Sequence, residues 1–289
     1  MNYEGAIFRP PSEAGSLILQ VTVGCSNNTC TFCSAYKDKK FRVKSWPEIE
    51  ADIISAGRYK NGVNRIFLAD GNALMLQNEL LLKILKRLYN DFPYLERVGI
   101  YAGAQDALKK EPEELIALKE AGLGIVYFGL ESGSDAVLKL VRKGVTAADM
   151  IKACHRIKEA GLTLSITVIS GLGGVDMTRE HALRTAEVVS VINPDYLSTL
   201  TLMVVKGTKL YDQVQRGEFK LMTPLQDLKE LKLMLEHVNL SNCVFRSNHA
   251  SNYLPLKGVL NRDRDALVSL IERGLATPAM LRPEYLRGL

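Results

Sequence analysis

Short apolar runs alternate along this chain with longer stretches in which apolar residues recur every three or four positions. Residues 16–23 (SLILQVTV) and 65–69 (RIFLA) read as strands, as do 97–102, 124–130 (GIVYFGL), 164–169 and 196–204 (YLSTLTLMV). Short apolar runs bounded by turn residues are strand-sized. Between them, residues 49–58, 76–88, 111–122, 134–141, 147–160, 179–192 and 224–235 have helical spacing. In the second of these helices, Leu80, Leu81, Ile84, Leu85 and Leu88 share one face. Six strand-then-helix units in succession require parallel strands joined by right-handed crossovers. The α/β pattern fits an open doubly wound sheet or a barrel-like sheet of β/α repeats. No linker or low-complexity tract divides it, so it reads as one domain. Its core covers residues 1–242; residues 243–289, with one short helix at 262–273, close the sheet.

Composition narrows the class without naming a chemistry. At 289 residues, 47% hydrophobic and 24% charged, the chain is long enough to bury a full core and is no disordered tail. No apolar run approaches the ~20 residues a membrane helix needs. The first fifteen residues carry Glu4, Glu13 and two prolines, which does not suit a signal peptide, so a cytoplasmic protein is expected. A net charge of +5 permits an anionic or nucleic-acid substrate but argues for neither; without a basic stripe interleaved with aromatics, nucleic acid is disfavoured.

The five cysteines are placed unevenly. Cys25, Cys30 and Cys33 fall within nine residues directly after the first strand, while Cys154 and Cys243 stand apart. In a chain that is not exported, such a cluster points to metal rather than to a disulfide framework. Three thiolates on one loop suit an iron–sulfur cluster. With four irons and three protein ligands, one iron is open to a non-protein ligand. Structural zinc, closed by a fourth ligand such as His155, Cys154 or Cys243, remains open on spacing alone.

With Phe32 just before the third cysteine, the segment GCSNNTCTFC at residues 24–33 resembles the cluster loop of the radical S-adenosylmethionine (SAM) superfamily. That pattern has three residues between its first two cysteines; here there are four. Further segments follow in the superfamily's order. Asp70-Gly71-Asn72 resembles the turn that touches the SAM amino group, with Asn in place of Glu. Glu131-Ser132-Gly133-Ser134 resembles the ribose segment. Lys143, beside Arg142, lies where relatives place a residue near the SAM carboxylate. The run 169–174 (ISGLGG), with Ser170 and Gly171, resembles the adenine-contacting turn. The resemblance covers about residues 16–205.

It implies a partial (β/α)6 TIM-like barrel, with a [4Fe-4S] cluster held by Cys25, Cys30 and Cys33 and SAM as cofactors. It also implies oxygen sensitivity and reductive cleavage of SAM to methionine and a 5′-deoxyadenosyl radical, which abstracts hydrogen from a small-molecule substrate. The alternatives are an iron–sulfur enzyme that breaks another sulfonium bond, or a radical SAM enzyme that modifies tRNA. A non-enzymatic electron carrier or zinc-stabilised binding module is a third reading, though an electron carrier would not need the rim of Asp70, Glu131 and Gly171. Independently of the resemblance, Cys25, Asp70, Gln105, Asp106, Glu131, Gly171 and Met203 lie at or just past the C-terminal ends of predicted strands. In α/β folds that is where ligands bind.

The substrate end is less legible. Residues 245–253 (FRSNHASNY) crowd donors and acceptors around His249, with Arg246 suited to a carboxylate or phosphate; these two are the candidate catalytic residues. Arg9 to Glu13 forms a second dense polar stretch. His155, His181 and His237 occupy helical stretches and read as surface or packing residues, and Cys154 as a buried filler. Lys37, Lys39 and Lys40, just after the cysteines, are expected either to be solvated or to attract an acidic electron donor such as a flavodoxin or ferredoxin.

Overall fold

The computed structural model describes residues 1–288. The chain divides into two compact units. The first comprises Met1–Asn28, Ala35–Phe128 and Lys152–Leu164; the second comprises Thr29–Ser34, Gly129–Ile151 and the chain from Ser165 onward. In chain order the elements are β1 (Leu17–Gln20), β2 (Thr22–Val23), β3 (Arg42–Val43), α1 (Trp46–Ala56), β4 (Arg65–Ala69), α2 (Asn78–Asp91), β5 (Arg97–Ala102), α3 (Ala104–Leu108), α4 (Pro112–Glu120) and β6 (Leu123–Glu131). There follow α5 (Asp135–Leu140), α6 (Ala147–Glu159), β7 (Thr163–Ser170), α7 (Gly174–Ile192), β8 (Tyr196–Thr201), α8 (Lys209–Gln215), α9 (Pro224–His237), β9 (Cys243–Ser247), β10 (Leu256–Leu260) and α10 (Arg264–Ala276).

In the first unit, β1 pairs parallel with β4, β4 with β5, and β5 with β6. After Arg65, every residue of β4 is buried, as a strand covered on both faces requires. Phe67 and Ala69 pack with Ile18, Ile125 and Tyr127. The expected strand 16–23 is two strands, because the chain changes partners at Val21. Val21 N donates to Ala69 O, while Lys44 N donates to Val21 O, so β2 runs on against β3 instead of β4. Glu13 is fully buried and pairs with Arg97 and Tyr127, which ties the dense stretch 9–13 to the fold.

In the second unit, β7 pairs parallel with β8 and β8 with β9, while β10 returns antiparallel to β9. The closing segment therefore holds two strands as well as the expected helix. Their short length and mixed composition leave little periodicity to read: Cys243, Phe245 and Ser247 are buried while Arg246 between them is exposed. Helix α7 begins five residues before the expected start, with Asp176 in its first turn. Among the described residues no helix is long and apolar enough to cross a membrane.

Candidate functional site

The end of β4 delivers Asp70-Gly71-Asn72 against Gly24-Cys25-Ser26, one residue facing one residue. Asp70 is fully buried, and its Oδ2 accepts from Gly24 N at 3.1 Å. The same oxygen accepts from Lys39 Nζ at 2.7 Å and from Gln20 Nε2 at 3.3 Å. A Cβ on Gly71 would come within 2.4 Å of Gly24 O and 2.6 Å of Cys25 Cα, so only glycine allows this approach. Asn72 Oδ1 accepts from Ser26 N at 3.1 Å, and its Nδ2 donates to Ser26 Oγ at 2.6 Å and to the Asp106 carboxylate at 3.0 Å. Asp106, at the start of α3, also accepts from Gly103 N at 2.9 Å. Burial pushes the Asp106 carboxyl above its ordinary pKa, against the pull of these hydrogen bonds.

Lys39, expected among exposed lysines, has a side chain only 4% exposed and is committed to Asp70. Lys37 and Lys40 are exposed, although Lys37 Nζ reaches Asn28 O at 2.7 Å.

The second half of the cysteine segment belongs to the second unit. Thr31 N donates to Val141 O at 2.9 Å, and Leu210 N to Thr31 O at 3.0 Å. Phe32, with Ile169, Met177 and Leu202, packs on the buried cluster of Val137, Val141 and Leu172. Cys30 is buried; Cys25 and Cys33 are half-buried, and no cysteine among the described residues is in a disulfide.

Beyond β6, Glu131 has a left-handed backbone (φ 64°), and its Oε1 accepts from Lys143 Nζ at 3.0 Å. Thus Lys143 meets the residue expected to hold ribose. Ser132 is fully buried, its Oγ 2.8 Å from His181 Nδ1 and accepting from Ser134 N. A Cβ on Gly133 would fall 2.3 Å from Arg184 O, so α7 can approach only a glycine there. Met203, past the end of β8, is half-buried.

Ser170 and Gly171 are held from beneath by α9. Asp227 Oδ1 lies 2.6 Å from Ser170 Oγ, and its Oδ2 accepts from Thr201 Oγ1 at 3.0 Å. Glu230 accepts from Gly171 N at 2.7 Å and from Thr178 Oγ1 at 2.6 Å. His181 Nε2 lies 3.0 Å from Ile169 O, to which it donates since a carbonyl only accepts, and 3.7 Å from Glu230. Burial raises the Asp227 carboxyl to about 6, with the neighbouring Glu230 charge adding and the hydroxyl donors opposing. Asp227 and Glu230 escaped the reading of the sequence. His181, read as surface or packing, lies within this polar network and is 2% exposed.

His249 and Arg246 have different partners. His249 Nδ1 accepts from Ser251 N at 3.1 Å, and burial, helped by Arg282, lowers its pKa. Arg246 is exposed on β9, its guanidinium turned back to Phe245 O at 2.8 Å. Burial also pushes the Cys154 thiol well up, as suits a packed apolar residue.

The radical SAM superfamily profile matches residues 19–188, more than half of the sequence. The chain belongs to the radical SAM superfamily. It is 29% identical over 149 residues to an uncharacterized protein of Methanocaldococcus jannaschii, covering 50% of this chain and 46% of that one. It is 30% identical over 112 residues to the tRNA uridine(34) acetyltransferase of Methanocaldococcus infernus, covering 37% of this chain and 20% of that one. The chain thus spans less than half the length of these relatives. Among solved structures, methylornithine synthase (PylB) superposes with a TM-score of 0.55 at 17% identity, covering 93% of this chain and 83% of that one. That likeness establishes the α/β fold with a mostly parallel sheet, similar to the TIM-barrel-like radical SAM structures.

Members of the superfamily bind a [4Fe-4S] cluster and SAM, and the local chemistry fits both. Three cysteines on one segment are thiolate donors for iron. Asp70 Oδ1 is buried with no hydrogen-bond partner, an acceptor suited to the ammonium of a bound amino acid moiety. Among the described residues, no group of three or more His, Cys, Asp or Glu side chains is gathered as for a single metal ion. The ligand set therefore rests on the cysteine spacing and the family.

Proposed function

We propose that this chain is a radical SAM enzyme acting on a small polar or anionic molecule, with Cys25, Cys30 and Cys33 as the cluster ligands. The observation that carries the proposal is the Cys-x4-Cys-x2-Cys segment within the superfamily match at residues 19–188. When bound, the cluster and SAM supply the superfamily's reaction, reductive cleavage of the sulfonium to a 5′-deoxyadenosyl radical that takes a substrate hydrogen.

The chain's own residues bind and orient. Asp70 Oδ1 accepts from the SAM amino group; Asn72, whose side chain is spent on Ser26 and Asp106, does not. Glu131 accepts from the ribose hydroxyls, with Lys143 fixing its carboxylate; Ser132 and Gly133 set the shape of that segment. Phe32 lends an apolar wall, and the Ser170–Gly171 turn, with Met203, contacts adenine. His249 and Arg246 meet the substrate, and burial lowers the pKa of the first. Exposed Lys37 and Lys40 attract an acidic electron donor of the flavodoxin or ferredoxin kind, and the enzyme is cytoplasmic and oxygen-sensitive.

A tRNA substrate is the second reading, favoured by the likeness to a tRNA uridine(34) acetyltransferase. The test is anaerobic reconstitution with iron and sulfide, then reduction with dithionite in the presence of SAM. Deoxyadenosine and methionine are the expected products. A different SAM fragment, or no SAM consumed, would overturn the reading.

A further inference from the structure

The facing of residues 70–72 on residues 24–26 has a regularity that cofactor contact does not require. The backbone N–H groups flanking Cys25, those of Gly24 and Ser26, each donate to a buried side chain, Asp70 and Asn72 respectively. Between them Gly71 presses its bare backbone against Cys25 itself, leaving no room for a methyl group. Both clamping side chains are in turn held from behind. Lys39 pins Asp70 with a buried ion pair at 2.7 Å. Asp106 pins the Asn72 amide, one Nδ2 hydrogen shared between its two carboxylate oxygens at 3.0 Å, and is itself fixed by Gly103 N.

Asn72 Nδ2 also donates to Ser26 Oγ, so the amide grips Ser26 by backbone and side chain at once. A side chain whose acceptor and donors are all engaged inside the protein is poorly placed to serve a ligand as well.

We infer that Asp70-Gly71-Asn72 is a clamp that presets the backbone of Cys25, with Lys39 and Asp106 as its supports, and that Asn72 is a positioning residue for the first cluster ligand rather than a SAM contact. Its physical use is preorganisation. A loop with four residues between its first two cysteines has more backbone freedom to lose when it closes on iron, and fixing both neighbours of Cys25 beforehand removes part of that cost. The cofactor side of this inference rests on the radical SAM reading; the clamp itself does not.

The experiment compares wild type with Asn72→Ala and with Ser26→Ala, a milder change at an exposed residue that leaves the fold in place. In the metal-free protein, amide exchange at residues 24–26 should rise by about fivefold or more in Asn72→Ala, the loss expected from one or two side-chain hydrogen bonds, and less in Ser26→Ala. After reconstitution, Asn72→Ala should lose iron to a chelator faster than wild type, while the cluster-loaded fraction keeps its SAM affinity within about threefold. Unchanged exchange at 24–26 in both variants, or a normal iron-loss rate with SAM affinity down tenfold, would overturn the clamp and make Asn72 a cofactor contact. If wild type itself takes up no cluster, the radical SAM reading fails, and the exchange measurement still decides on the clamp.

Discussion

In the first unit the buried carboxylate Asp70 faces an ammonium 2.7 Å away. In the second unit the buried carboxylate Asp227 sits one helical turn from a second carboxylate, Glu230, and its side-chain hydrogen-bond partners are the hydroxyls of Ser170 and Thr201. Asp70 belongs to one turn proposed to meet SAM and Asp227 supports another, yet the two carboxylates solve burial differently. Lys39 compensates Asp70 across a buried ion pair, which holds the turn beside Cys25. Asp227 is driven towards its protonated form, so the Ser170–Gly171 turn rests on a carboxyl group that titrates near neutrality. A rigid, charge-locked support suits a metal ligand, whose position must be set before the cluster assembles. A titratable support makes the other turn sensitive to pH.

Breaking one partner of the ion pair should have the largest effect. Lys39→Met leaves the buried Asp70 carboxyl without its ion-pair partner, and should cost about 3–5 kcal/mol in denaturant unfolding of the metal-free protein. The double variant with Asp70→Asn should recover most of that loss; if it recovers nothing, the two residues are not coupled and the contrast fails. Next comes Glu230→Ala. It orphans the Gly171 N–H and the Thr178 hydroxyl, and should cost about 1–3 kcal/mol while weakening SAM binding more than cluster uptake. Equal losses of both would place Glu230 in general packing.

Legibility in the sequence followed the same contrast. Strands 65–69 and 97–102 were read to the residue, because a continuous apolar run between turns fixes a buried parallel strand locally. The motifs at 24–33, 70–72, 131–134 and 169–174 were visible because each is a contiguous word. Lys39 was not legible as a structural residue: its partner is 31 residues away, and three lysines in four positions read as a solvated loop. Asp227 and Glu230 had a signal that was missed. They share a helical face with Leu231 and Met234, at spacings of three, four and seven, where a surface helix would place apolar residues. Strands β9 and β10 were lost because five mixed residues carry too little alternation to be told from a loop.

A smaller effect sharpens the titratable half of the comparison. With its folded pKa raised to about 6 from an ordinary 3.8, Asp227 contributes stability that is complete below about pH 4 and is lost as pH rises through 6. Asp227→Asn should therefore gain stability relative to wild type from pH 4 to pH 7, as read by thermal unfolding across that range. A difference that stays flat would mean the carboxyl is ionised throughout. Glu131→Ala removes the ion pair to Lys143, whose two side chains are only about one-seventh exposed, and should cost about 1 kcal/mol in unfolding, while weakening SAM binding about tenfold by isothermal titration. Unchanged affinity would remove Glu131 from the ribose assignment.

The most direct test is electron paramagnetic resonance of the reconstituted, dithionite-reduced protein, with iron and labile sulfide counted per chain, before and after SAM is added. Four irons and four sulfides per chain, a reduced-cluster signal that changes on adding SAM, and loss of both signal and iron in Cys30→Ala are the predicted results. Zinc in place of iron, or a cluster whose signal is indifferent to SAM, would contradict the assignment of Cys25, Cys30 and Cys33.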